Sequence, residues 1–378
     1  DEGILCSTFK IRNGGGNADK LKFIDAFLEK AAEGRNVSIQ DFRPCAVFLN
    51  GEYWGIYNIR ERYNAEYLAS HYDLDADSIM LVKAGSAITI PEETAAAYQY
   101  MLSVVSECDL AYDDTFALAD ELIDMQSIID YCCINLYLDN RDVAFGYNTA
   151  LWRTVQEGTP YGDGKWRFML YDLDECAYPD SNDPEKQGRQ LAEHPLLNEP
   201  AVKSLLDNEG FRRQFCITFM DIANITFSYE RIHAMLTAWS SLYEVQIIKD
   251  HQRFYDPSYG MQEFYEEVSQ VDRFFENRFS FAMKELAETF DLAGTLTSVS
   301  ISTNAPEGGT ITVNTAQLEN SEVWQGYYYS DFPVSVSVHP EKGWHFAGWQ
   351  GDASGMEESL TISLENGDVS LRAIFERD

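Results

Sequence analysis

Two runs of alternating apolar and polar residues in the middle of the chain predict a β-hairpin. Residues 148 to 155 and 165 to 172 are rich in Trp, Phe, Tyr and Val, and the turn-forming segment EGTPYGDG separates them. A hairpin brings the start of its first strand beside the end of its second strand. The carboxylates of Asp142 and Asp172 and the amide of Asn148 are therefore expected in one small space.

The remainder of the first 290 residues mixes strands and helices. TFKIRN alternates, which puts Lys10 and Arg12 on one strand face, and it runs into the glycine-rich GGGN. RPCAVFLNGEYWGIYNIRERY has two aromatic and β-branched runs around Asn50-Gly51, a preferred pair for a tight hairpin turn. A further strand is expected at 79 to 84, and helices at 21 to 32, 92 to 107, 113 to 122, 126 to 139, 209 to 224, 229 to 246 and 261 to 289.

The pattern changes at Leu292. Residues 293 to 378 contain short alternating runs separated by Gly, Asn and Pro, with no helical period. We therefore predict an α+β domain at 1 to 290 and a small all-β domain at 293 to 378, either β-grasp-like or sandwich-like. The segment HFAGWQGD resembles the divergent internalin-B-type repeat of bacterial surface proteins. This domain is interpreted as a stalk or spacer, and a second interpretation has aromatic side chains stacking on sugars: Trp324, Tyr327, Tyr328 and Tyr329.

Composition narrows the class of protein. The 378 residues include 62 acidic and 28 basic side chains, a net charge of −34, which disfavours nucleic acid and anionic membranes as partners. Seven cysteines show no disulfide framework or zinc spacing, and no apolar run is long enough to span a membrane. The chain starts abruptly in a strand-like segment, so a longer precursor is expected.

The three oxygen-bearing side chains of the predicted hairpin suit a divalent cation such as Mg²⁺ or Mn²⁺. Protein kinases use the same order, with a catalytic Asp, a metal-binding Asn, a strand pair and a metal-binding Asp. The interval from Asp142 to Asn148 is one residue longer than in the ordinary kinase catalytic loop. A plainer interpretation makes these residues turn formers at hairpin ends, where Asp and Asn are common.

Four segments together, RNGGGN, RPCAVFLNGEYWGIYNIRERY, NRDVAFGYN and KWRFMLYDLD, resemble the CotH family of atypical secreted protein kinases, named for a bacterial spore-coat protein. The resemblance runs from about residue 8 to residue 290. It implies a bilobal kinase-like fold and transfer of the γ-phosphate of ATP to Ser or Thr hydroxyls of proteins. GxGxxGxV, VAIK, HRD and DFG motifs do not occur in the sequence.

The resemblance also implies roles for individual residues. Asp142 matches the catalytic Asp, Asn148 and Asp172 match metal ligands, and Asp174 would be a second carboxylate near the metal. Glu61 matches a residue expected to face the nucleotide cleft. Arg12 is the candidate for contacting the ATP phosphates, with Lys10 and Lys83 as alternatives. Each residue also has a structural alternative: Arg12 pairs with an acid on a solvent-facing strand, Glu61 bridges to Arg60 or Arg62, and Asp174 supports the metal ligands from behind or caps a turn.

Three functions follow from these residues. The first is a secreted or surface-attached bacterial kinase that uses ATP and Mg²⁺ or Mn²⁺ and acts on protein Ser or Thr. The second is an inactive, pseudokinase-like binding protein whose β domain attaches to a cell wall, a glycan or a partner. The third is metal-dependent phosphate hydrolysis, which the absence of metal-ligand spacing among six histidines disfavours.

Overall fold

The computed structural model describes residues 8–84, 90–178, 188–319 and 323–378. The chain divides into two compact units, one of residues 1–212 with 229–281 and the other of residues 213–228 with 282–378. The first unit mixes helices and sheets and the second is built mainly of strands, which confirms the predicted α+β class. The boundary at residues 290 to 293 stays a prediction, and the second unit adds two helical segments to the β residues.

Two three-stranded antiparallel sheets organise the first unit, in the orders β1-β3-β2 and β4-β5-β6. The predicted tight turn joins β2 to β3, because Asn50 and Gly51 both have positive φ (51° and 85°) as a two-residue hairpin of this type requires. The described strands are β1 (Phe9–Arg12), β2 (Phe42–Leu49), β3 (Glu52–Glu61), β4 (Ile79–Ala84), β5 (Thr149–Thr154) and β6 (Arg167–Met169).

The predicted central hairpin is confirmed as β5 and β6, in which Ala150 lies opposite Met169. Its second strand is shorter than the sequence pattern predicts. It ends at Met169, so Asp172 follows the strand by three residues and has left-handed backbone with φ 60°. Asp172 is therefore placed by a loop with its own hydrogen bonds and not by the pleat of the sheet.

Helices cover the sheets of the first unit. Asp142 lies five residues after the end of helix α5, which is buried at almost every position, including the polar residues Ser127, Asp130 and Asn135. No helix in the described part of the chain combines the length and apolar composition needed to cross a membrane. The described α-helices are α1 (Ile24–Ala31), α2 (Ala65–Tyr72), α3 (Glu92–Glu107), α4 (Asp113–Asp120), α5 (Met125–Tyr137), α6 (Pro195–Asn198), α7 (Pro200–Asp207), α8 (Glu209–Asp221), α9 (Tyr229–Phe254) and α10 (Met261–Phe290). From Arg213 onward α8 belongs to the second unit, as does α10 from Ala282 onward.

The second unit contains two four-stranded sheets, β10-β7-β14-β12 and β13-β11-β8-β9. Alternate residues of its strands are buried, as in a sandwich core. A π-helical segment, Ile222–Thr226, follows α8 in this unit. The strands are β7 (Leu296–Thr303), β8 (Gly309–Val313), β9 (Ala316–Gln317), β10 (Val323–Tyr329), β11 (Val334–Pro340), β12 (Trp344–Gly351), β13 (Ser359–Ile362) and β14 (Val369–Arg377).

One aromatic expected on a sugar-binding surface is part of this core instead. Tyr328 is 1% exposed, and its hydroxyl donates to Asp221 Oδ1 over 3.0 Å. The Tyr329 hydroxyl is also engaged, at 3.2 Å from the Met283 carbonyl oxygen. Alternation along β10 points Tyr328 inward and leaves Tyr327 39% exposed. Tyr328 is therefore buried and cannot stack on a sugar at the surface, which corrects the expectation for this residue.

Candidate active site

The end of helix α5 is fixed by an arginine of α10. Arg278 donates from Nε to the Tyr137 carbonyl oxygen over 2.6 Å and from Nη2 to the Leu136 carbonyl oxygen over 2.7 Å. Carbonyls at a helix C-terminus lack partners within the helix, and a cation there also suits the helix dipole. Asp139 then turns the chain with φ 51°. This cap places the loop that carries Asp142.

The loop from Asp142 to Asn148 is closed by its own hydrogen bonds. The Asn148 side-chain amide donates to the Asp142 carbonyl oxygen over 3.0 Å and to Asp142 Oδ2 over 3.1 Å. Asn148 has φ 50°, a left-handed conformation that Asn tolerates better than most residues. The Tyr147 hydroxyl lies 3.5 Å from Asp142 Oδ2. The structure thus brings the predicted catalytic Asp and the predicted Asn together.

The segment that carries Asp172 and Asp174 is tied to three other parts of the first unit. The Tyr63 hydroxyl lies 2.8 Å from the Leu170 carbonyl oxygen. The backbone N–H of Leu173 donates to Asp25 Oδ1 over 2.9 Å, and that of Gly16 donates to Asp174 Oδ2 over 2.6 Å. Asn17 also donates its side-chain amide to the Asp174 carbonyl oxygen. The glycine-rich loop therefore packs onto the second acidic residue.

Arg12 binds three carboxylates at this point. Its Nη2 donates to Asp172 Oδ1 and, over 2.9 Å, to Asp174 Oδ2. Its Nε lies 3.4 Å from Asp25 Oδ2. The side chain is 19% exposed, so the solvent-facing position weighed from the sequence is wrong, although its pairing with acids is confirmed.

These side chains line one cleft of about 490 Å³ in the first unit. Asp142 enters from the α5 end, Asp172 and Asp174 from the segment after β6, and Arg12 from the end of β1. Asn148 is not among the described lining residues and contacts the cleft only through its hydrogen bond to Asp142. The lining residues are Lys10, Ile11, Arg12, Asn13, Gly15, Gly16, Tyr57, Asp142, Asp172, Asp174 and Glu175.

The electrostatics of the cleft agree with close packing of its acids. The pKa of the Tyr147 hydroxyl is raised, first by the charge of Asp142 and further by burial and by Asp172 and Asp174. The pKa of Asp174 is raised by burial and then by the neighbouring charge of Asp172. Burial, followed by the charge of Arg60, lowers the pKa of Lys10 to about 8. The raised pKa values of Tyr147 and Asp174 show that negative charge is concentrated beside Asp142 and Asp172, whereas the lowered pKa of Lys10 shows that its own buried charge beside Arg60 is disfavoured.

The donor atoms suit a hard divalent cation. Asp172 and Asp174 already converge on one cationic atom, Arg12 Nη2, and carboxylate oxygens are the ligands that Mg²⁺ and Mn²⁺ prefer. Within the described ranges, no three His, Cys, Asp or Glu side chains form a metal-binding group. The carboxylates of Asp172 and Asp174 would therefore bind such an ion at the position that the Arg12 guanidinium occupies. They would do so as two acidic ligands and not as part of a group of three.

Glu61 lies away from the cleft, which corrects its expected position. It pairs in register with Phe9, whereas Arg12 pairs with Asn58, so Glu61 and Arg12 start from opposite faces of the sheet. The Glu61 carboxylate is buried, accepting from the Asp41 backbone N–H over 2.9 Å and lying 2.8 Å from His71 Nε2. The alternative bridge to Arg60 is wrong as well, because Arg60 pairs with acids of helix α1.

Lys10 and Lys83, the two alternatives to Arg12 for contacting phosphates, differ in their position relative to the cleft. Lys10 lines the cleft, whereas Lys83 is absent from its described lining. Both ammonium groups lie over the Tyr171 ring, at 5.5 Å for Lys10 and 4.5 Å for Lys83. Burial, followed by the charge of Arg62, lowers the pKa of Lys83, and the charge of Asp172 opposes this shift. Lys10 and Arg12 are therefore the better-placed cations for an anionic ligand.

Sequence reasoning missed Asp25, which contacts both Arg12 and the Asp172–Asp174 segment. It also missed Asn17 and Tyr147. A signal for Asp25 was present, since LKFIDAFLEKAAE places Asp25 and Glu29 four residues apart amid apolar residues. Two acids on one turn of an otherwise apolar helix indicate buried partners.

Comparison with known families agrees with this geometry. The family description "CotH kinase protein" matches residues 16–282, and "Divergent InlB B-repeat domain" matches residues 299–378. The first match covers more than half of the chain, so the chain belongs to the CotH kinase protein family. A search of the curated proteins found none that matches it. This match confirms the resemblance that the four sequence segments show. Family membership also supports a kinase-like function.

Proposed function

We propose that this chain is a protein kinase that uses ATP and a divalent metal to phosphorylate Ser or Thr hydroxyls of secreted or surface proteins. The observation that carries the proposal is the single cleft that collects Asp142, Asp172, Asp174 and Arg12. Membership of the CotH family supports a nucleotide as the ligand. A location outside the bacterial cell or on its surface belongs to the same proposal and is supported by the InlB-type repeat.

In this mechanism the protein mainly positions charges. Asp142 accepts the proton of the acceptor hydroxyl while the oxygen–phosphorus bond forms and the bond from the γ-phosphorus to ADP breaks. Arg12 and Lys10 bind phosphate oxygens. Asp172, Asp174 and Asn148 would hold Mg²⁺ or Mn²⁺, which when bound neutralises phosphate charge.

Alanine substitutions at the two central acids test this function. Asp142→Ala removes the proposed proton acceptor and is expected to lower phosphate transfer from ATP to a Ser- and Thr-containing protein by about 10²–10⁴-fold, as loss of a general base does. Asp172→Ala removes a carboxylate proposed to hold the metal and is expected to lower transfer by about 10²-fold or more. Transfer is measured with γ-labelled ATP, and unfolding midpoints show that the fold persists. Asp114→Ala, which removes an exposed acid at the start of α4, is the matched control. Wild-type labelling by Asp142→Ala would refute the mechanism.

A second candidate is a binding protein without transferase activity, and it is favoured by the engagement of Asp172 and Asp174 with Arg12. It is distinguished by a thermal shift with ATP and Mn²⁺. A ligand at a hundred times its dissociation constant stabilises the folded state by about 2.7 kcal/mol. Absence of any shift favours this second candidate, whereas a shift together with transfer favours the kinase.

A further inference from the structure

Helix α1 carries a buried carboxylate, Asp25, close to the cleft. Asp25 is 4% exposed, on a helix buried at seven of its eight positions. Its Oδ2 accepts from Arg60 Nη1 over 2.6 Å and lies 3.4 Å from Arg12 Nε. Its Oδ1 accepts from the Leu173 backbone N–H over 2.9 Å. One side chain thus joins β1, β3 and the segment after β6.

The position of these contacts matters for the cleft. Arg12 directs Nε toward Asp25 at ion-pair distance and donates from Nη2 to Asp172 and Asp174, so Asp25 contacts the guanidinium through a nitrogen that the cleft acids do not use. Leu173 lies between those two acids, and its N–H anchors their backbone to the same carboxylate. Burial favours the neutral form of Asp25, but Arg60, Arg12 and the Leu173 N–H prevail and lower its pKa to about 2. Asp25 therefore stays ionised at neutral pH.

We propose that Asp25 is a positioning residue of the candidate active site, which holds the Arg12 guanidinium and the Asp172–Asp174 segment at the distance required to bind the phosphates of ATP. The inference rests on the proposed nucleotide site and deepens it. Asp25 acts through Arg12 and through the Leu173 backbone and does not itself line the cleft within the described residues.

Glu29 provides a control because it is a second buried acid of α1 that pairs with Arg60 but makes neither of these two contacts. It lies one turn later on α1, is fully buried, and accepts from Arg60 Nη2 over 2.5 Å and from the Gln40 backbone N–H over 2.7 Å. Burial raises the pKa of Glu29 to about 7, so the two variants are compared well above pH 7, where both carboxylates are ionised. Under that condition Glu29→Gln removes a buried charge from the same arginine without touching Arg12 or Leu173, and a purely structural role for Asp25 would make Asp25→Asn and Glu29→Gln behave alike.

The test measures ATP affinity by calorimetry in the presence of Mn²⁺, together with unfolding midpoints, for the full chain. Asp25→Asn is expected to weaken ATP binding about 10–100-fold, as substitutions of residues that orient ligand-binding groups do. Glu29→Gln is expected to stay within about twofold of the wild type. In an Arg12→Ala background, Asp25→Asn is expected to have a smaller effect, because part of its action passes through Arg12. Equal ATP affinities for Asp25→Asn and Glu29→Gln would overturn the inference.

If Asp25→Asn does not fold, Asp25→Glu asks the same question while keeping the buried charge. The longer side chain shifts the carboxylate relative to Arg12 and to the Leu173 N–H, so a loss of ATP affinity is expected. Wild-type affinity in Asp25→Glu overturns the inference. If the wild type binds ATP but does not transfer phosphate, the proposed kinase activity is refuted, and the positioning role of Asp25 can still be tested by ATP affinity. No ATP binding by the wild type would refute both.

Discussion

At the scale of single residues, the first unit contains several charged side chains that are buried and paired. Arg60 is 1% exposed and meets two acids of α1, while Lys22 lies 2.8 Å from Asp250 Oδ2. Removing one member of such a pair leaves an unpaired charge in a poorly solvated place and costs about 3–5 kcal/mol. Single substitutions at these pairs are therefore expected to destabilise the first unit.

His194 gives a prediction on pH. It is 2% exposed, and burial lowers its pKa to about 4 from an ordinary value near 6.5. Between these two values the unfolded chain binds a proton that the folded chain does not, so stability falls as the pH drops from 6.5 toward 4. From pH 7 to pH 5 this residue alone is expected to reduce the free energy of unfolding by about 2 kcal/mol. Urea unfolding at the two pH values measures the loss.

The control for this prediction is His194→Asn. His194 Nδ1 accepts from the Leu196 backbone N–H over 3.2 Å at the start of α6, and Asn retains an acceptor at that position. Asn does not titrate, so the variant is expected to lose less stability than the wild type between pH 7 and pH 5. An identical loss in both proteins would show that other groups cause the acid sensitivity.

At the scale of elements, the glycine-rich turn before α1 needs Gly15 for two reasons. Its φ is +64°, and a Cβ built there would collide with Asp174 Oδ2 and Arg12 Nη2. Gly15→Ala is expected to destabilise the protein by more than the roughly 1–2 kcal/mol of left-handed strain and to weaken ATP binding. Urea unfolding and ATP titration measure the two effects.

Gly34 offers the matched comparison. Its φ is +88°, but among the described residues no heavy atom beyond Gly34 and its two chain neighbours lies within 4 Å of a Cβ built at this position. Gly34→Ala should therefore show the backbone strain alone, with unchanged ATP affinity. If both variants bind ATP as the wild type does, the contact of Gly15 with the cleft has no effect on the ligand.

Much of the fold could be predicted from the sequence because its elements have strong local signals. The Asn50-Gly51 turn, the β5–β6 hairpin and the long helices all follow from period and turn chemistry. The order of Asp142, Asn148 and Asp172 along the chain predicted that they lie near one another. It did not predict which side chains bind them. Arg12 and Asp172 are 160 residues apart, and which acid meets which arginine depends on packing that no local pattern encodes.

At the scale of the whole molecule, the segment 213–228 belongs to the same compact unit as the β-strands although it lies inside the CotH match. Asp221 is fully buried there. It accepts from Asn314 Nδ2 over 2.8 Å, from the Thr315 hydroxyl over 2.7 Å and from the Tyr328 hydroxyl over 3.0 Å. The π-helical residue Asn224 adds bonds to both backbone groups of Tyr327.

Asp221→Ala is consequently expected to destabilise the second unit by about 3 kcal/mol, because several buried donors lose their acceptor. Hydrogen exchange of the β7 to β14 amides in the full chain measures this directly. Glu358→Ala, at an exposed acid of the same unit, serves as the control. Unchanged protection in Asp221→Ala would mean that the strands hold together without the helical segment.

The bond between Arg12 and the two acids of the cleft also bears on how the protein would respond to metal salts. A guanidinium attached to the chain is present at an effective concentration of the order of millimolar or above, whatever the protein is dissolved in. A free divalent ion must therefore compete with the Arg12 guanidinium for Asp172 and Asp174. A manganese titration of the protein without nucleotide is thus a displacement experiment, and its midpoint reflects the strength of an internal ion pair as much as the attraction of the acids for the metal.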